Sequence, residues 1–294
     1  MPIITALGKI DATAVAVLVR SPSVSLHQIL TAFQTDPLAI FADLVMLAMV
    51  VAYLIGVHRL GAKGRAWPRS RTVAFLSGSF LIFFATGSGF ASYDDSNFSM
   101  HVIQHLILMN AAPILLALSA PVTLLLQSSS RKVQTSALRI LHSRWVKFVT
   151  LPFVAWLANW VTMYVYFLTP IYALSIRHPL FHYYTHLHFL IAGYIFWSAV
   201  VSIDPIPHKM SFGGKLAFLL SGIPFGTYLG IALTQMSTSI DPAVHTLADT
   251  HVGGSILWAF GEIFTLAALA AIFVQWSRAD EREARRHDRE LYGT

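Results

Sequence analysis

SMHVIQHLILMNAAPILLALSAPVTLLL, residues 99–126, carries no Asp, Glu, Lys or Arg. A helix needs about 20 apolar residues to cross a hydrocarbon layer about 30 Å thick, and this stretch exceeds that. Six further apolar segments accompany it, at 38–58, 72–91, 146–168, 180–202, 214–236 and 251–276. The chain has 294 residues, of which 55% are hydrophobic and only 12% charged. Soluble domains carry about 25% charged residues, so most of this chain needs no surface facing water. The expected fold is an all-α membrane protein, a bundle of seven transmembrane helices. Residues 1–36 form an external N-terminal segment, with a short interfacial helix expected from Leu26 to Phe33. Residues 37–276 form the transmembrane domain. Residues 277–294 form a charged tail suited to a solvated helix, with pairs such as Glu281 and Arg285 four apart. Residues 3–19 are mildly apolar, but Lys9 and Asp11 interrupt them, so they do not read as a signal peptide.

The formal charge of +6 is not a nucleic-acid signal, because the basic residues sit in loops between the apolar runs. Of the 20 Lys and Arg, 17 fall in alternate connections: 59–71, 131–147, around Lys209 and Lys215, and after Arg278. The intervening connections carry Asp94, Asp95, Asp241 and Asp249 instead. Basic loops stay in the cytoplasm, so the N-terminus is expected outside and the C-terminus inside. Helix packing leaves its own marks. Gly222, Gly226 and Gly230 recur every four residues, a small face for close helix approach. Pro113 and Pro121 predict kinks in the long third helix.

With no cysteine, disulfides and thiolate metal sites are excluded. Any metal must be held by His, Met, carboxylate or backbone groups. On the expected topology His58, His142, His208 and His287 fall inside, and the other nine histidines fall in the outer half. His101 and His105 open the third helix, four apart and on one face, with Met109 one turn on. His182 and His186 open the fifth helix with the same spacing. His188, two residues further, points elsewhere. Met236 ends the sixth helix and His251 opens the seventh, beside Asp249. Imidazole and thioether donors without thiolates suit copper, especially Cu(I), although zinc also accepts imidazole. Two H-x-x-x-H pairs at one depth also suit bis-His haem ligation. Singly, such histidines are equally read as interfacial hydrogen-bonding groups. Glu262 lies mid-helix, where a carboxylate is costly. It is read either as a protonated, hydrogen-bonded side chain or as a proton-linked neighbour of the site. There is no P-loop, G-x-S-x-G or H-E-x-x-H, and no lysine lies inside a span beyond its first two residues to form a retinal Schiff base.

HVIQHLILMNAAPILLALSAPVTLLL (101–126), HLHFLIAGYIFW (186–197), IDPIP (203–207), GIALTQM (230–236) and GGSILWAFGE (253–262) together resemble the CtaG-like cytochrome c oxidase assembly factors. The resemblance covers roughly 26–276. It implies a bacterial membrane protein of about seven helices that is not an enzyme. It implies support for haem–copper oxidase maturation by supplying copper to the oxidase, with the oxidase subunits and an external copper chaperone as partners. The family's polar positions fall here on His101, His105, His186, His188, Asp204, Met236 and Glu262. The expected Cu(I) ligands are therefore His101, His105, His186, His188 and Met236. Glu262, His182, His251 and Asp249 are expected behind them or linked to proton movement. Where the family pattern leads one to expect Asp-Gln-Gln, this chain has Asp249-Thr250-His251, which leaves the role of His251 open. Rival expectations are a bis-His haem protein, a copper or small-solute transporter, and a structural chaperone with passive histidines.

Overall fold

The structure, a computed structural model, describes residues 25–292; the reading of 3–19 lies outside the described residues. Among these the chain is helical, with no strand and one isolated bridge, Phe33 to Ser88. The helices are α1 (Leu26–Thr31), α2 (Pro37–Ala62), α3 (Arg69–Thr86), α4 (Phe98–Leu106), α5 (Ala112–Leu118), α6 (Pro121–Ser128), α7 (Arg131–Leu141), α8 (Arg144–Val149), α9 (Pro152–Leu168), α10 (Ile171–Arg177), α11 (Pro179–Val201), α12 (Phe212–Leu220), α13 (Ile223–Thr234) and α14 (Leu247–Tyr292). Five units are long and apolar enough to cross a membrane: α2, the 98–128 run, α11, the 212–234 run and α14. The bent pair α9 and α10 makes a sixth if counted as one span. Of the seven expected segments, 72–91 is therefore the weak one. It folds as α3, whose start carries Arg69, Ser70, Arg71 and Thr72.

Proline explains most of the breaks. The run from Phe98 is α-helical to Leu106, passes through a π-helical turn at Ile107–Ala111, and resumes as α5. Pro113 has no N–H, so the Met109 carbonyl four residues earlier has no ladder donor. The Trp197 indole on α11 donates to that carbonyl instead, at 3.1 Å. Gly193, one turn earlier on α11, has no Cβ, and an added one would collide with the Met109 backbone. The two helices therefore meet at closest approach just beneath the histidines. Ala120 takes a left-handed conformation (φ 51°), and Pro121 starts α6. Pro224 starts α13, and Thr169-Pro170 bends α9 from α10 by 75°.

Two carboxylates cap helices far away in sequence. Asp249 accepts from the Phe98 and Ser99 amides at 2.6 and 3.2 Å, holding the first turn of α4. Asp204, in IDPIP, accepts from the Val122 and Thr123 amides at 3.2 and 2.7 Å and from the Thr123 hydroxyl at 2.6 Å, holding α6. Each satisfies orphan N–H groups that a helix in lipid cannot leave bare. The glycine face of the sixth segment is split between two neighbours. Gly222 and Gly226 meet Trp160 of α9, and Gly230 meets Trp258 and Gly254 of α14. α1 covers Leu26–Thr31 of the expected 26–33 stretch and lies against the 87–93 loop through Tyr93, whose hydroxyl donates to Gln28 at 2.8 Å. The tail continues α14 as one helix with the Glu281–Arg285 pair at 3.2 Å.

Candidate metal centre

The first turns of α4 and α11 lie side by side at the end of the bundle that carries the acidic loops. Each presents an i, i+4 histidine pair to the other. The His101 and His105 rings stack with centroids 4.3 Å apart, and the His182 and His186 centroids are also 4.3 Å apart. Across the helices His101 stands 5.4 Å from His182 and 6.4 Å from His186, and His105 stands 5.5 Å from His186. Four rings thus enclose one small volume, and all four are buried; His101 and His105 are 0% and 1% exposed.

Asp94 closes the group from the loop before α4. One ligand atom each from Asp94, His182 and His186 lie within 4.8 Å of one another, a set that could hold a metal ion. Gln104, on α4 between the two histidines, donates to Asp94 at 2.7 Å and to the Ala85 carbonyl at 2.8 Å, which fixes the carboxyl in place. Burial pushes the Asp94 carboxyl up to about 7, against the opposite pull of His182.

Most of the imidazole nitrogens have nothing to bind. Nδ1 of His101, both nitrogens of His105 and His186, and Nε2 of His182 are buried without a hydrogen-bond partner. Each buried polar atom left unpaired costs about 1–3 kcal/mol, so six in one cluster point to a ligand that takes them. Only His101 is anchored by a neighbouring hydroxyl: its Nε2 shares a hydrogen bond with the Tyr166 hydroxyl at 3.0 Å, and Tyr166 in turn bonds Ser175 at 2.8 Å. That leaves Nδ1 as the free donor, the usual arrangement of a ligand histidine oriented through its other nitrogen.

A roof covers the cluster. α10 runs over it, with Tyr172 edge-on to His101 at 5.0 Å and its hydroxyl bonded to His245 Nε2 at 2.8 Å. Arg177 at its end grips Asp241 through two bonds of 2.9 and 3.1 Å. Below, Phe189 meets His105 edge-on at 4.2 Å, and Phe167, Leu106 and Met109 continue the apolar floor.

The other expected site residues are placed elsewhere. His188 sits on the opposite side of α11 and bonds Thr162 of α9 at 2.9 Å. Met236 lies in the turn after α13, packs against the core around Leu229 and Leu233, and offers its carbonyl to His251 at 3.0 Å. Asp249 is the α4 cap. Glu262 accepts from Thr227 at 3.3 Å, adjacent to Gly226, on the α13 side of α14. The structure instead adds Asp94, Asp95, Tyr166, Tyr172 and His245 to the surroundings of the histidines. The one sequence signal for any of these is Asp94-Asp95, seven and six residues before His101.

In chemical terms the cluster offers four imidazoles and one carboxylate, with no thioether among them. Imidazole takes copper or zinc. A haem would need a flat slot between two opposed histidines. Here the remaining two rings lie only 4.3 Å from the His101 and His186 rings.

Comparison with known proteins bears on the family of the chain. The model of the cytochrome c oxidase caa3 assembly factor family matches residues 51–279. An uncharacterized protein of Mycobacterium bovis and one of Mycobacterium tuberculosis are each 31% identical to the chain over 285 residues, covering 90% of it. An uncharacterized protein of Mycobacterium leprae is 31% identical over 261 residues. The chain spans 42% of the length of the first two relatives. No solved structure matches it.

Proposed function

The chain belongs to the family of cytochrome c oxidase caa3 assembly factors, and from that premise we propose that it holds copper for the oxidase in the His101, His105, His182, His186 and Asp94 cluster. The observation that carries this is the set of six unpartnered imidazole nitrogens converging from two helices in a buried space. Charge balance favours Cu(I). A monovalent ion beside one ionised carboxylate is neutral, whereas a divalent ion would leave a net buried charge, which is expensive. Imidazoles without a thiolate cage bind and release, as a delivery role requires. The protein then performs no reaction of its own. Its partners are the oxidase subunit that receives the ion and an external copper carrier.

The proposed membrane arrangement has seven spans in the plasma membrane, N-terminus outside and C-terminus in the cytoplasm. α3 and the α9–α10 pair complete the five long apolar units. The charge skew supports it, with the acidic loops and the histidine cluster at the outer end. Phe189, Phe167, Leu106 and Met109 beneath the cluster favour a site that opens outward over a transport path. A reporter fused after Thr294 is expected to be cytoplasmic, and one inserted near Asp95 external. An external C-terminal reporter would mean the span count is wrong.

The direct experiment is anaerobic titration of the purified full chain with Cu(I) against a competing chelator, followed by metal analysis. One tightly held copper per chain is expected, without a Soret band. Absence of tight copper would overturn the reading.

A further inference from the structure

We infer that copper reaches and leaves the buried histidines through a single port formed by Asp95, His182 and Asp94, with Asp95 as a transient exchange ligand rather than a resident one. The inference rests on the copper reading above and concerns how the site is filled. Exposure falls in steps along this corner: the Asp95 side chain is 59% exposed, that of His182 10% and that of Asp94 5%. The donors follow in the same order. Asp95 Oδ1 is 3.3 Å from His182 Nδ1, and Asp94 Oδ2 is 3.8 Å from His182 Nε2. His186 and then His105 continue inward with ring centroids 4.3 and 5.5 Å apart. An ion following this line always has a next donor within reach before it releases the last, so it is never stripped bare in a low dielectric.

The remaining sides are closed by contacts of a different kind. The roof is tied by Tyr172 to His245 and by Arg177 to Asp241, whose side chain is 3% exposed. The floor is aromatic and aliphatic. One more carboxylate belongs to this end of α11: Asp36 accepts from the hydroxyl of Tyr183, the residue after His182, at 2.6 Å. Carboxylates at a mouth with apolar walls concentrate cations and raise their arrival rate. Of Asp36, Asp94 and Asp95, Asp95 is the one whose side chain is both exposed and in reach of a ligand histidine, which is why loading and release are both assigned to it.

Stopped-flow mixing of the full chain with Cu(I) in acetonitrile-containing anaerobic buffer, and release into a strong chelator, tests this. Asp95→Asn is expected to slow loading and release together by about tenfold, while the equilibrium affinity changes less than threefold. Asp95→Glu should restore both rates. Arg177→Gln, which loosens the roof, should change neither. Wild-type protein that binds Cu(I) with rates indifferent to Asp95→Asn overturns the port and leaves the site standing. Faster loading in Arg177→Gln moves the port to the roof. A fall in affinity with normal loading makes Asp95 a resident ligand and also overturns the inference. Wild-type protein that binds no Cu(I) overturns this inference and the copper reading together.

Discussion

Replacing His105 with Ala lowers the Cu(I) affinity of the purified protein by about 100-fold or more, on the scale that metal sites lose when a ligand or its orienting partner is removed. His105 lies one turn further along α4 than His101, is 1% exposed, and has both ring nitrogens unpartnered. Its loss removes one imidazole outright and leaves a cavity beside Phe189 and Phe167. His142→Ala provides the control. His142 lies exposed at the end of α7, bonded to the Leu138 carbonyl, and its removal should leave affinity unchanged. The check is competition against a chelator of known affinity, run on both variants. Equal affinities would remove the histidine cluster from consideration as the copper site. In cells, the first variant should leave the oxidase poor in copper while the variant itself stays in the membrane. A fully active oxidase in that background would refute delivery even if binding in vitro were lost.

Gly193→Leu is expected to abolish most folded, monodisperse protein in detergent and, in whatever remains, to remove copper binding. The Cβ alone would strike the backbone of Met109, before any further atoms are added. Because the obstacle is main chain rather than a movable side chain, α11 must swing away from the π-helical turn, and overpacking of this kind costs upwards of about 1–3 kcal/mol. The same movement breaks the Trp197 bond to the Met109 carbonyl and separates the two histidine pairs one to two turns above. Gly213→Ala is the matched control, since nothing lies within 4 Å of its Cβ position. Thermal midpoints in detergent decide the matter. A Gly193→Leu protein as stable as the wild type, with copper bound, would show that the close approach of the two helices is unnecessary for the site.

His188 and His182 show why some site residues were legible and others were not. Spacing of four along a helix puts two side chains on one face whatever surrounds the helix, so His101 with His105 and His182 with His186 could be paired on paper. Spacing alone also turns His188 away from His186, yet the family pattern kept it among the ligands. Only the neighbour α9, with Thr162 in reach, shows where it is bound. Met236 and His251 were adjacent to the site in depth, but depth is one coordinate of three. The turn after α13 sets their direction, and His251 bonds the Met236 carbonyl rather than reaching the cluster. Asp94 was visible in the sequence as a marker of an external loop. Its turn back onto the histidines depends on Gln104 and on a 3₁₀ turn at Ala91–Tyr93, neither of which a pattern of apolar residues encodes.

By itself the sequence determined that the chain is a helical membrane protein, that its charges divide its two ends, and that two histidine pairs share one end. Each follows from local periodicity and composition, which act over a few residues. The tertiary structure decided which helices meet and at what distance. It closed the π-helical turn after α4 against α11 at Gly193 and routed Asp249 and Asp204 to cap helices 150 and 81 residues away. It also folded α10 over the histidines. These depend on close packing and on satisfying buried polar groups between segments remote in the chain, and no local pattern specifies which remote segment will supply the partner.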